Sequence, residues 1–181
     1  MEFNELINAI KVAIDACANR IKDNPEIILT EADLERHLSN EIDRCLCMQK
    51  ENPFSVHNQI SHYPYPSECL SKENKRDYQV DILVMKNADL QKGDIHHKEF
   101  IYYGDSVAME LKYYREKDSI ATIEKDLKKA DSILNDNFNH CAFFVVALLE
   151  DKSKQAELCK YFEKYKNVEN MYMFILTKNS L

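Results

Sequence analysis

Asp81, Glu110 and Lys112 are the residues of this chain whose types and spacing could do chemistry. They interrupt two otherwise apolar stretches, Gln79-Val-Asp81-Ile-Leu-Val-Met85 and Ser106-Val-Ala-Met-Glu110-Leu-Lys112-Tyr-Tyr114. Both stretches alternate as β-strands do. In the first, Val80, Ile82 and Val84 are expected on one face and Asp81 on the other. In the second, Val107, Met109, Leu111 and Tyr113 share one face, while Glu110 and Lys112 share the opposite face one pleat repeat apart. Ionised groups in such strands are costly unless they are paired, solvated or bound to a metal. Paired carboxylates with a neighbouring ammonium suit metal-assisted chemistry on an anionic substrate. The structural alternative is a solvent-facing Glu110–Lys112 ion pair on a half-exposed sheet, with Asp81 near a strand end by chance.

The elements around these residues follow from periodicity. Residues of about 3 to 22 predict an amphipathic helix with Phe3, Leu6, Ile7, Ile10, Ala13, Ile14, Cys17 and Ile21 on one stripe. This stripe packs on the core or on a second subunit. Thr30 is a good N-cap for a helix from about Glu31 to Gln49. Glu31 falls on its apolar stripe with Leu38 and Ile42. Glu35 lies near that stripe and is the second candidate for a helix-borne acid, and Glu41 is expected to face solvent. For Glu31 the alternative is a first-turn carboxylate that complements the helix dipole.

Phe54 to Tyr63 reads as the edge or first strand, with His57 and His62 as surface or strand-partner histidines. Pro64 to Asp77 reads as a polar loop. Between the Asp81 and Glu110 strands, an insertion from about Asn87 to Asp105 holds a Gly93-Asp94 turn and a His96-His97 pair, read as loop histidines because neighbouring residues on a strand diverge. Phe100 to Tyr103 would begin the returning strand. Asp118 or Ser119 caps a helix from about Ile120 to Leu134. Cys141 to Leu149 is a strand buried on both faces. A helix from about Ser153 to Lys166, with Ala156, Cys159, Phe162 and Tyr165 on one side, leads to a last strand, Met171 to Leu176.

An acid on one strand followed by Glu-x-Lys on the next resembles the PD-(D/E)xK, or restriction-endonuclease-like, nuclease superfamily. The resemblance rests on Asp81, Glu110 and Lys112, on the helix acid Glu31, and on the order of elements from about Thr30 to Leu149. Val80 stands where the family often has proline. The resemblance implies an α/β fold: an αβββαβ core with a mixed sheet flanked by helices, an extra N-terminal helix and a C-terminal helix and strand, all in one domain over residues 1–181. It also implies a metal-dependent endonuclease that hydrolyses phosphodiester bonds, in DNA rather than RNA, in defence or repair. Mg²⁺ or Mn²⁺ would be held by Asp81, Glu110, the Leu111 backbone carbonyl and Glu31. Lys112 would orient or deprotonate the attacking water, or stabilise charge on the phosphate. Arg115, Lys125, Lys128 and Lys129 would contact the nucleic-acid backbone. The alternative function is a catalytically silent nucleic-acid- or protein-binding module on the same fold. In either case, the small size of the chain suggests that a homodimer or a partner protein supplies specificity.

Composition sets outer limits. Hydrophobic residues make up 45% of the 181 residues and charged residues 30%, the balance of a water-soluble globular domain. No apolar run approaches a membrane span, and the first residues lack the pattern of a signal peptide, so a cytoplasmic protein is expected. The six cysteines match neither a zinc ribbon nor a disulfide scaffold and are expected to be reduced thiols. The net charge of −7 argues against nonspecific coating of nucleic acid. The charge is uneven, because residues 112–129 hold six basic and four acidic side chains immediately after the candidate site.

Overall fold

In the computed structural model, which describes residues 1–48, 52–61, 79–86, 88, 90–92, 100–102, 104–135 and 140–178, two helices precede a five-stranded mixed sheet. Helix α1 (Phe3–Asp23) starts at a capping box between Glu2 and Glu5 and buries the predicted stripe. Pro25 opens a single 3₁₀ turn, Pro25–Ile27, that reverses the chain. Helix α2 (Glu31–Cys47) starts at a second capping box. The Thr30 hydroxyl accepts from the Asp33 N–H at 3.1 Å, and the Asp33 carboxylate accepts from the Thr30 N–H at 3.0 Å. This box makes Glu31 the first helical residue, at the end of α2 that faces the sheet.

The strands are β1 (Phe54–Ser61), β2 (Gln79–Lys86), β3 (Leu90–Lys92), β4 (Phe100–Tyr102), β5 (Ser106–Tyr114), β6 (Cys141–Leu149) and β7 (Met171–Thr177). The main sheet runs β1-β2-β5-β6-β7. The first three strands are antiparallel, and β6 and β7 continue parallel to β5. Parallel neighbours need crossovers, supplied by α3 (Ile123–Leu134) and α4 (Gln155–Glu163). α1 and α2 cover one face of the sheet, where Ile82, Val84, Met109 and Leu111 pack. α3 and α4 cover the other, with Leu83, Ala108, Leu127 and Leu158. All nine residues of β6 are buried, as a continuous apolar run between two helical layers requires. No helix among the described residues is long and apolar enough to cross a membrane.

Several expectations change. Val80 does not share a face with Ile82 and Val84. It packs with the α3–α4 cluster, so β2 loses its regular alternation at Asp81. Glu41 is buried rather than solvent-facing, because Arg20 on α1 and Arg44 on α2 each reach it at 2.8 Å. Phe100–Tyr102 does not begin β5 but pairs with β3 in a separate two-stranded sheet. Gly104, at φ 103°, separates that hairpin from β5 in a conformation glycine adopts without steric penalty. Neither Asp118 nor Ser119 caps α3 through its side chain. The Asp118 carboxylate accepts from the Arg115 N–H at 2.8 Å, and the helix enters through a 3₁₀ turn, Ile120–Thr122. On α4 the buried residues are Leu158 and Phe162, while Ala156 and Cys159 are exposed. The α1 stripe is spent inside the chain against α2 and the sheet. Gln49, His62, Cys69, the Lys72–Asp77 cluster, Gly93-Asp94, His96-His97 and Tyr103 lie outside the described residues.

Candidate active site

The site forms where β2 and β5 part. Their ladder runs from Met85↔Ser106 to Ile82↔Met109 and ends there. The next residues in that register are Asp81 and Glu110. β5 continues along β6 as far as Tyr114↔Leu149, and among the described residues no strand pairs with its β2-side edge beyond Met109. Unpaired backbone donors on a part-buried edge must find acceptors. Two carboxylates serve. Asp81 Oδ2 accepts from the Leu111 N–H at 2.7 Å, and Glu31 Oε2 accepts from the Tyr113 N–H at 3.2 Å. A strand residue presents its N–H and C=O on the same edge, so the Leu111 carbonyl belongs to this opening too.

On the other side of β2 the β1 ladder skips the Gln59–Asp81 position. Gln59 has φ 51°, a left-handed conformation that an L-residue with a side chain adopts only under restraint. Its side chain bridges two acids: Nε2 donates to Glu35 Oε2 at 2.8 Å and to Asp81 Oδ1 at 3.1 Å. Gln79 Nε2 in turn donates to Gln59 Oε1 at 3.2 Å. Glu31 therefore meets β5 directly, while Glu35 reaches Asp81 through Gln59. Because φ at position 59 favours glycine, Gln59→Gly is expected to be more stable than Gln59→Ala by about 1 kcal/mol, the reverse of the usual strand order. Urea denaturation of the two variants checks this, and a more stable alanine variant would refute the strain.

Glu110 and Lys112 do share a face, but they do not pair with each other. Each takes a partner from α3. Lys129 Nζ is 2.5 Å from Glu110 Oε1 and 2.9 Å from the Gln79 carbonyl oxygen. Lys112 Nζ lies 3.3 Å from Glu31 Oε1 and 3.6 Å from Asp126 Oδ2. Asp126 Oδ2 is buried and has no hydrogen bond, so this ion pair is its compensation. From the sequence alone, Lys129 is expected only as a nucleic-acid contact and Asp126 is missed, although Asp126 lies three residues after Ile123 and four before Ala130, on the buried stripe of α3.

Electrostatics separate the roles. Burial first, then the Asp81 charge, pushes the Glu110 carboxyl up to about 7 despite Lys129. Asp126 is raised by burial, against the pull of Lys112 and Lys129. Burial opposes charge on Lys112, but Asp126, Glu31, Asp81 and Glu110 together outweigh it and hold the ammonium above the usual lysine range. Lys112 therefore remains a cation at neutral pH and is poorly suited to take a proton from water.

The remaining basic residues stand apart from the acids. Arg115 Nη2 donates to the Leu29 carbonyl at 3.1 Å, tying the end of β5 to the approach of α2. Lys125 and Lys128 are exposed, and Lys128 pairs with Glu124 at 3.8 Å. Each precedes a site-facing residue of α3 by one position, about 100° round the helix. Lys129 is the one of the three that reaches the acids, so it is not a free surface contact.

Among the described residues, no three His, Cys, Asp or Glu side chains converge as a metal cluster. A cation here would instead take two carboxylates, Asp81 and Glu110, with the Leu111 carbonyl and water. That all-oxygen set fits a hard divalent ion. Among the described residues the charge balance fits as well: Asp81, Glu110, Asp126, Glu31 and Glu35 share the ammonium groups of Lys112 and Lys129.

No protein-family model, curated protein or solved structure matches the chain.

Proposed function

We propose that this chain is a metal-dependent nuclease of the restriction-endonuclease-like type, acting on DNA in preference to RNA. The observation that carries the reading is the parting of β2 and β5 at Asp81 and Glu110, with Lys112 two residues on and the Leu111 backbone between. The order α2, β1, β2, β5, α3, β6 around that opening agrees with an αβββαβ core, to which α1, α4 and β7 are additions. The small β3–β4 hairpin is an insertion between the two acid-bearing strands.

In this reading Asp81, Glu110 and the Leu111 carbonyl hold Mg²⁺ or Mn²⁺, and Glu31 supports the site from α2. The bound ion supplies Lewis-acid chemistry, neutralising phosphate charge and activating water. Lys112, held protonated between Glu31 and Asp126, donates to a phosphate oxygen and stabilises charge that builds there. Gln59 orients Asp81. Lys125, Lys128 and Arg115 contribute positive charge along the nucleic-acid backbone.

A second reading has its own observation. Asp81 and Glu31 cap exposed strand donors, and Glu110, Asp126, Lys112 and Lys129 compensate one another. Such a network can serve structure alone, in a non-catalytic binding module on the same fold. The two readings separate in one assay of plasmid, linear duplex, single-stranded DNA and RNA with Mg²⁺ or Mn²⁺. Wild type is expected to cut duplex DNA, and a matched preparation of Lys112→Ala to lose at least about 100-fold in rate, as loss of a charge-stabilising group in a dry site does. Equal cutting by both would dismiss the assigned site. Silence on every substrate would favour the binding module.

A further inference from the structure

Lys129 is on the Glu110 carboxylate, where a divalent ion in the proposed site would also have to bind. Its side chain is only 14% exposed, and its ammonium is 2.5 Å from Glu110 Oε1. An ammonium and a metal ion both draw on the lone pairs of that carboxylate, and at adjoining positions on it they repel one another. We propose that Lys129 is an internal counter-ion that holds Glu110 in the metal-free protein and that divalent ions must displace. The proposal rests on the metal-dependent reading above and assigns Lys129 as a positioning residue within it.

Three features of the geometry support displacement over a permanent pair. The contacts between α3 and β5 are crossed: Lys129 serves Glu110, while Asp126 serves Lys112. Lys129 can therefore leave Glu110 without breaking a direct contact of Lys112. Lys129 also has a second anchor, the Gln79 carbonyl at 2.9 Å, so its ammonium keeps one hydrogen bond when it leaves the carboxylate. Finally, Lys112 is 3.3 Å from Glu31 and 3.6 Å from Asp126, committed to other acids, so Lys129 supplies the direct compensation of Glu110 against Asp81. A cation entering between Asp81 and Glu110 takes over that compensation. The released ammonium, still tethered at Gln79, would stay at this opening as a positive charge for an anionic group.

The test is isothermal titration calorimetry with Mn²⁺ on the whole chain, using wild type, Lys129→Met, Lys129→Gln and Lys129→Arg. Folding of each is verified by its urea unfolding transition. The two neutral variants are expected to bind Mn²⁺ roughly 10- to 100-fold more tightly than wild type, the equivalent of one charge-assisted hydrogen bond removed from the competitor. Lys129→Arg keeps the cation and should stay near wild type. Unchanged or weaker binding by the neutral variants, with wild type still binding, overturns the counter-ion role and leaves the metal site standing. No binding by wild type and variants alike overturns the metal reading, and this proposal with it.

Discussion

Glu110→Gln is expected to stabilise the folded chain at pH 8 while abolishing metal binding and cleavage. The sign follows from the raised carboxyl. Glu110 titrates at about 7 in the fold against an ordinary value of 4.5. Between those values the folded state holds a proton that the unfolded state has released. Stability therefore falls as pH rises from 4.5 to about 7, and the loss is complete above that. Taken alone, the shift corresponds to a loss on the order of 3 kcal/mol at pH 8. Glutamine has the shape of the neutral acid and avoids that loss. It leaves Lys129 with a neutral acceptor, which returns part of the gain. The expected net is a stabilisation of about 1–2 kcal/mol at pH 8 that shrinks toward pH 5, read by urea unfolding at the two pH values. Calorimetry with Mn²⁺ on the same samples should show no binding. A variant less stable than wild type at pH 8 would mean that Lys129 fully compensates Glu110 and that the site is a closed structural pair. Stability gained where binding is lost is the pattern of a residue kept for function.

The sequence made some of this legible for clear physical reasons. Asp81, Glu110 and Lys112 stand out because charged groups in apolar strands violate burial rules, and a strand's two-residue period fixes which of them share a side. Thr30 announces the start of α2, which places Glu31 at the sheet. β6 declares itself by nine consecutive buried residues. What stayed hidden depends on tertiary closure. The burial of Glu41 requires Arg20 from another helix, and a helical wheel of α2 alone cannot supply it. The switch of Val80 to the opposite face occurs where β2 departs from β5, and strand alternation carries no information about where a ladder ends. The left-handed Gln59 is invisible for the same reason, since a glutamine gives no local sign of positive φ. Lys129 was visible as a basic residue, but only the packing of α3 on the sheet turns it from the solvent toward Glu110.

Lys112→Met is expected to be the most damaging single change at the site, and its partial rescue identifies the cause. Lys112 is the ion-pair partner of Asp126, whose buried Oδ2 has no hydrogen bond. Removing one member of a buried pair leaves the other charge uncompensated, at roughly 3 kcal/mol or more. Glu31 is less affected, because it is 45% exposed and keeps its bond from the Tyr113 N–H. Adding Asp126→Asn removes the stranded charge, so the double variant should recover at least about 1 kcal/mol, an interaction of the size that neighbouring charges show in a double-mutant cycle. On the proposed function, cleavage should not return with stability, because the ammonium assigned to the phosphate would still be missing. Wild type, both single variants and the double variant, measured for unfolding free energy and for cleavage under identical conditions, complete the cycle. Additive losses in stability would separate Asp126 from Lys112. Recovery of cleavage together with stability would reduce Lys112 to a prop for α3 and move the search for the phosphate-binding cation to Lys129. The same pair sets a pH boundary. Because the Lys112 ammonium is raised above its ordinary range, its contribution persists through neutral and mildly alkaline pH and is lost only as pH climbs past the usual lysine value toward the raised one. Lys112 thus stays charged across the interval in which Glu110 changes protonation.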